Sequence, residues 1–211
     1  YISRIRVTHG SGYVLDVVYD NGYTAIYRHL SVFVGEVAKR VKALQYEKES
    51  WEVEIIPEPA PVSDEGDDRD RGSNNLGVHI LGEYPVKAGQ IIALSGNTGY
   101  SFGPHLHLDM IETATDEYID PLPFFMDKVK DKTAPRQPGK GVVEGKQTRR
   151  AFPAHPTKPI TAWGLIGAGI RAYDYMDGVQ NKYGVKTVIL EVDGEEVFRS
   201  TVDRFAYEEN R

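Results

Sequence analysis

Apolar and polar residues alternate from the start of the chain, with Ile2, Arg4, Arg6 and Thr8 set against Ser3, Ile5 and Val7. Period-two alternation predicts a strand with one buried face. Gly12–Tyr19 repeats the pattern, Asp20-Asn21-Gly22 reads as a type I′ hairpin turn, and Tyr23–Leu30 returns as a third strand. On that strand the alternation groups Tyr23, Ala25, Tyr27 and His29 on one face. The period then lengthens: Val34, Val37, Val41 and Leu44 recur at helical spacing, predicting an amphipathic helix over residues 33 to about 49. Trp51–Ile56 alternates as a strand that Pro57–Pro61 ends, and Asp64–Arg71 packs seven charges into eight residues, a solvated loop tip. Ile91–Leu94 reads as a short buried strand behind a turn at Pro85–Gln90.

The chemistry concentrates in Gly96-Asn97-Thr98-Gly99-Tyr100-Ser101-Phe102-Gly103-Pro104-His105-Leu106-His107-Leu108-Asp109-Met110. A glycine-rich loop runs into an alternating segment with two histidines one residue apart. As a strand it sets His105, His107 and Asp109 on one face, two residues spanning roughly 7 Å, with Leu106, Leu108 and Met110 on the other. Such a face holds a metal ligand and a general base side by side on rigid backbone.

Gly103-Pro104-His105-Leu106-His107 resembles the second motif of the M23, or LytM-type, zinc endopeptidases, which cut peptide cross-links in bacterial cell walls. Pro85–Gly99 and Asn21–Ser31 resemble two further blocks of that family in the same order, so the likeness covers most of residues 1–126. The resemblance implies Zn2+ as cofactor, His107 as a zinc ligand, His105 as catalytic base and His29 as the group that steadies the oxyanion. Asp109 stands where the family usually has Glu, as a carboxylate that orients an imidazole. The implied substrate is a peptidoglycan peptide, and the implied location is periplasmic or extracellular.

One part of the pattern is missing. The family's first motif, a His-x-x-x-Asp that supplies two zinc ligands, has no counterpart in residues 1–22, where His9 is followed four residues later by Tyr13. His79 with Glu83 has the spacing but a different acid and the wrong place in the order. Two alternatives stay open: a fragment lacking two zinc ligands that lie upstream of Tyr1, or a degenerate, non-catalytic scaffold that binds or activates cell-wall hydrolases. As written, the chain is expected to bind zinc weakly or not at all. The Pro85–Leu94 stretch also resembles the hairpin of biotinyl and lipoyl carriers, but the modifiable lysine motif of those carriers does not occur.

The expected fold is mostly β: a barrel-sandwich-hybrid domain with a LytM-like antiparallel sheet over residues 1–126, interrupted by an insertion at about 32–84. The helix and loop of that insertion resemble a subset of the family from Bacteroidetes-like bacteria. Residues 127–141 read as a linker, and 142–211 as a small Ig-like β-sandwich, with a turn at Asp177-Gly178 and a hairpin turn at Asp193-Gly194. Asp174, Asp177 and Asp193 sit beside turns and read as turn formers rather than calcium ligands. A net charge of −6 argues against a nucleic-acid partner, and no apolar run approaches the roughly 18 residues of a membrane span. With no cysteine, any metal site must use His and carboxylate ligands.

Overall fold

The computed structural model describes residues 1–58, 77–81, 84–144, 150–153 and 166–209; the charged loop at Asp64–Arg71 lies outside them. The chain forms two compact units, one of Tyr1–Pro121 with Arg204–Arg211 and one of Leu122–Asp203.

In the first unit, β1 (Ile2–Thr8), β2 (Gly12–Val18), β3 (Tyr23–Phe33), α1 (Gly35–Glu47), β4 (Val53–Glu58), β5 (Gly77–Leu81), β6 (Ala93–Ser95), β7 (His107–Glu112) and β8 (Glu117–Ile119) follow in order. A last strand of the chain, β14 (Arg204–Phe205), pairs with β8. The sheet order is β14-β8-β7-β3-β2-β1-β4-β5, with β6 paired to β3, and every pairing except the parallel β4–β5 is antiparallel. The second unit carries β9 (Arg136–Glu144), β10 (Arg150–Pro153) and β11 (Ile166–Tyr173) in one sheet, and β12 (Thr187–Val192) with β13 (Glu195–Thr201) as a hairpin. β9 therefore begins inside the stretch expected as linker, and Arg204–Phe205 belongs to the first unit's sheet.

One face of the large sheet is apolar. Ile5, Val7, Leu15, Val17, Leu30, Val53 and Ile55 bury against Val37, Val41 and Leu44, the stripe of α1 that the helical period predicted. Each such fully buried aliphatic side chain contributes about 1.5–3 kcal/mol relative to exposure, so this layer carries most of the unit's stability.

The other face is charged, and two β-bulges set what it carries. Ile2 pairs with Val17 and Arg4 with Asp16, so Ser3 is an extra residue on β1, and it turns Ile2 to the apolar face away from Arg4. On β3, Tyr27 pairs with Leu15 and Leu30 with Tyr13, leaving Arg28 and His29 opposite Val14 alone. A bulge of this kind re-aims a side chain. His29 has φ of 58°, a left-handed conformation unusual for a residue other than glycine. The expectation that His29 shares a face with Tyr27 is corrected by that extra residue. Its ring turns to the Arg28 side and lies 5.7 Å from the ring of His107, the β7 partner of Arg28.

Three further expectations change. Of the first hairpin's loop only Gly22 has positive φ, so the connection is not type I′, which needs two such residues. β4 continues through Pro57 to Glu58 in parallel pairing with β5, whereas β1 pairs only with Val53–Ile55. Ile91 and Leu94 are exposed, since β6 has three residues and joins only the far end of β3. The Asp193-Gly194 turn has positive φ at both residues, as a type I′ hairpin requires.

Candidate active site

His29, His105 and His107 meet over the charged face of the sheet, presenting ring nitrogens within 4.8 Å of one another. The ring centroids of His29 and His105 are 4.8 Å apart, and those of His105 and His107 are 6.4 Å apart. His29 is 7% exposed, whereas His105 and His107 are open to solvent. Regular strand begins only at His107; His105 precedes it and is fixed by a bridge to Gly96, its N–H donating to the Gly96 carbonyl at 3.0 Å. The single alternating strand expected over His105–Asp109 is thus a bridge followed by a strand.

Each ring has one nitrogen committed. His29 Nδ1–H donates to the Thr98 carbonyl at 2.8 Å, and His105 Nδ1–H donates to the Gly103 carbonyl at 2.8 Å, with Ser101 Oγ 3.2 Å from the same nitrogen. A carbonyl can only accept, so Nδ1 carries a proton in both. His107 is turned the other way, its Nε2–H donating to Asp109 Oδ1 at 3.0 Å. Three imidazoles with one nitrogen of each anchored, and ligand atoms this close together, fit a divalent transition metal by donor chemistry. Among the described residues this is the cluster that could hold such an ion.

The 46-residue stretches of similarity to known proteins can be set beside this geometry. No family model matches the chain. Over 46 residues it is 52% identical to lysostaphin of Staphylococcus staphylolyticus and, at the same identity, to lysostaphin of Staphylococcus simulans. The matched stretch is 21% of this chain and 9% of each relative, so the chain spans under a tenth of the length of the curated relatives it matches. Among solved structures, the antimicrobial peptidase lysostaphin from Staphylococcus simulans aligns over 84% of this chain and 67% of its own, at 17% identity and a TM-score of 0.33.

Thr98 ties the site together. Its hydroxyl accepts from the Tyr13 N–H at 3.0 Å and donates to the Leu30 carbonyl at 2.6 Å, while its own carbonyl holds His29. The Gly-rich loop must come this close for those bonds to form. A Cβ on Gly99, whose φ is +75°, would lie 2.3 Å from the Gly12 nitrogen, and one on Gly12, φ +69°, would lie 2.2 Å from Thr98 Oγ1. Gly99→Ala therefore combines a left-handed conformation with a backbone clash. We expect it to cost about 2 kcal/mol or more, lowering Tm by roughly 4–8 °C in a thermal melt. A variant that melts with the parent would remove the need for this close approach.

Sequence reasoning missed the charges beneath the histidines. Arg4 pairs with Glu54, Arg6 with Asp16, and Arg28 with Asp109, forming a row of ion pairs across β4, β1, β2, β3 and β7. Burial pushes the Asp16 carboxyl above the usual carboxylate range, against the pull of Arg6. Burial, and then the charge of Asp109, push the Tyr118 phenol up at the β8 end of the same face. The signal was present: Arg4, Arg6, Asp16 and Arg28 all stand at alternating strand positions that a one-sided sheet would leave polar.

Proposed function

We propose that this chain is part of an M23-type zinc endopeptidase that hydrolyses peptide cross-links of peptidoglycan in the cell envelope. The observation that carries the reading is the convergence of His29, His105 and His107, drawn from two separate sequence blocks, with one nitrogen of each ring anchored. The short, 52% identical stretch shared with lysostaphin supports the same class of reaction. Within that reading the first unit is a LytM-like domain and the second a small Ig-like domain. His107 would hold the metal, and the His-x-x-x-Asp that supplies the family's other two ligands has no match in residues 1–22.

A bound Zn2+ supplies Lewis-acid polarisation of the scissile carbonyl and lowers the pKa of attacking water to about 7. His105 takes the proton from that water at Nε2, its Nδ1 held by Gly103, and returns it to the leaving amine. His29 is set back from solvent and pinned by Thr98, so its ring is oriented in advance toward the oxyanion of the tetrahedral intermediate. Asp109 fixes the ring of His107 by accepting from its Nε2–H. Tyr100 and Phe102 stand out of the loop beside His105, and supply an apolar wall for an extended peptide. Among the described residues no helix is long and apolar enough to cross a membrane.

The test is digestion of purified sacculi by the parent protein, with and without chelator. The reading expects soluble muropeptides carrying new amino groups, lost on chelation and restored by zinc. Sacculi left intact by the parent, but degraded faster by an added amidase in its presence, would point to the non-catalytic scaffold instead.

A further inference from the structure

We infer that Arg28 is a positioning residue for His107, acting through Asp109 across the β3–β7 pair. Arg28 Nε donates to Asp109 Oδ2 at 2.8 Å, and Asp109 Oδ1 accepts from His107 Nε2–H at 3.0 Å, so each carboxylate oxygen has one duty. The backbone puts them in place: Arg28 is the cross-strand partner of His107, and Ile26 is the partner of Asp109. The guanidinium is held at a second point by Nη1 donating to Ser11 Oγ at 3.1 Å. Ser11 also accepts, through its carbonyl, the backbone N–H of His29. The turn before β2 thus anchors both the arginine and the bulge that aims the neighbouring histidine.

The side chains of Arg28 and Asp109 are only 20% and 18% exposed, against 45% for His107, so the pair sits in a shielded layer beneath an open ring. With Oδ2 held by the Arg28 guanidinium, the Asp109 carboxyl keeps Oδ1 turned to His107, so the ring presents Nε2 to it. Water alone in place of Arg28 would let the carboxylate turn and the ring reorient. Lysine is a poor substitute, because an ammonium on a flexible stem cannot match the fixed fork that reaches Asp109 and Ser11 together. Asp16, paired to Arg6 on the adjacent strands, and Tyr118 from β8 face the same layer; neither donates to Asp109 in place of Arg28.

The consequence for metal binding rests on the reading of His107 as a ligand; the consequence for the ring itself does not. The first measurement is proton NMR of the metal-free chain at low temperature. We expect a downfield imidazole N–H resonance from His107 Nε2 in the unaltered chain, lost in Arg28→Gln and in Asp109→Asn and weakened in Arg28→Lys. Its absence from the unaltered chain, or its survival in Arg28→Gln, overturns the inference. A merely structural arginine would lower Tm while leaving that resonance in place below the melt. The second measurement is Co2+ affinity of the parent protein, expected to fall about 10-fold or more in Arg28→Gln with partial recovery in Arg28→Lys. Unchanged affinity beside a lost resonance overturns the metal consequence alone. An inactive parent that still shows both effects would set aside the peptidase reading and leave the positioning role standing.

Discussion

Replacing His105 by alanine in the parent protein is expected to lower kcat for cross-link hydrolysis by about 10²–10⁴, the usual range for a positioned acid–base group. The ring is anchored by Gly103 and by the bridge to Gly96, so its loss removes proton transfer without disturbing the sheet. Metal content and KM should stay close to those of the parent, since in this reading His105 is not a ligand. His107→Ala, in contrast, should remove metal and hydrolysis together. His29→Ala should cost no more than His105→Ala, at about 10²–10³ in kcat, as expected for one oxyanion donor. The measurements are steady-state hydrolysis of a cross-linked muropeptide and metal content after dialysis. Loss of metal from His105→Ala would make His105 a ligand and require another base.

How much of this could be read from the chain varies with the physics involved. The histidines of the glycine-rich block were legible because a loop and a two-residue spacing are local features. The α1 stripe of Val37, Val41 and Leu44 was legible for the same reason, as was the Asp193-Gly194 turn. The bulges at Ser3 and at Arg28–His29 were not, because an extra residue is defined only against a partner strand. Pure alternation therefore put His29 on the face of Tyr27 and grouped Ile2 with Arg4, and each assignment failed by one residue of parity. The Arg28–Asp109 pair joins residues 81 apart in sequence, so its existence depends on the β3–β7 register. Ile91 misled for another reason: hydrophobicity predicts burial only where a neighbouring element supplies the cover.

The ion pairs under the site also lead to the largest stability effect expected of a single charged residue here. Asp16→Ala leaves Arg6 without the carboxylate it donates to in a poorly hydrated layer, the two side chains being 19% and 11% exposed for Arg6 and Asp16. Breaking a buried pair in this way costs about 3–5 kcal/mol, and the residual exposure of Arg6 places the expectation near about 3. Replacing both residues with well-packed apolar ones, as in Arg6→Met with Asp16→Leu, should recover most of that loss, because neither charge is then stranded. The pH dependence has a definite sign. The folded-state pKa of Asp16 is raised, with burial outweighing the attraction of Arg6. The stability gained from this group is therefore fully present below its unfolded value of about 3.9 and is lost as pH rises through the folded value. The advantage of the unaltered chain over Asp16→Ala should accordingly be larger near pH ~4 than near pH ~7 in urea unfolding. The opposite trend would mean that Arg6 dominates and holds the carboxyl down. The row of charges would then be an assembly of strong pairs rather than a layer maintained at a cost beneath the histidines.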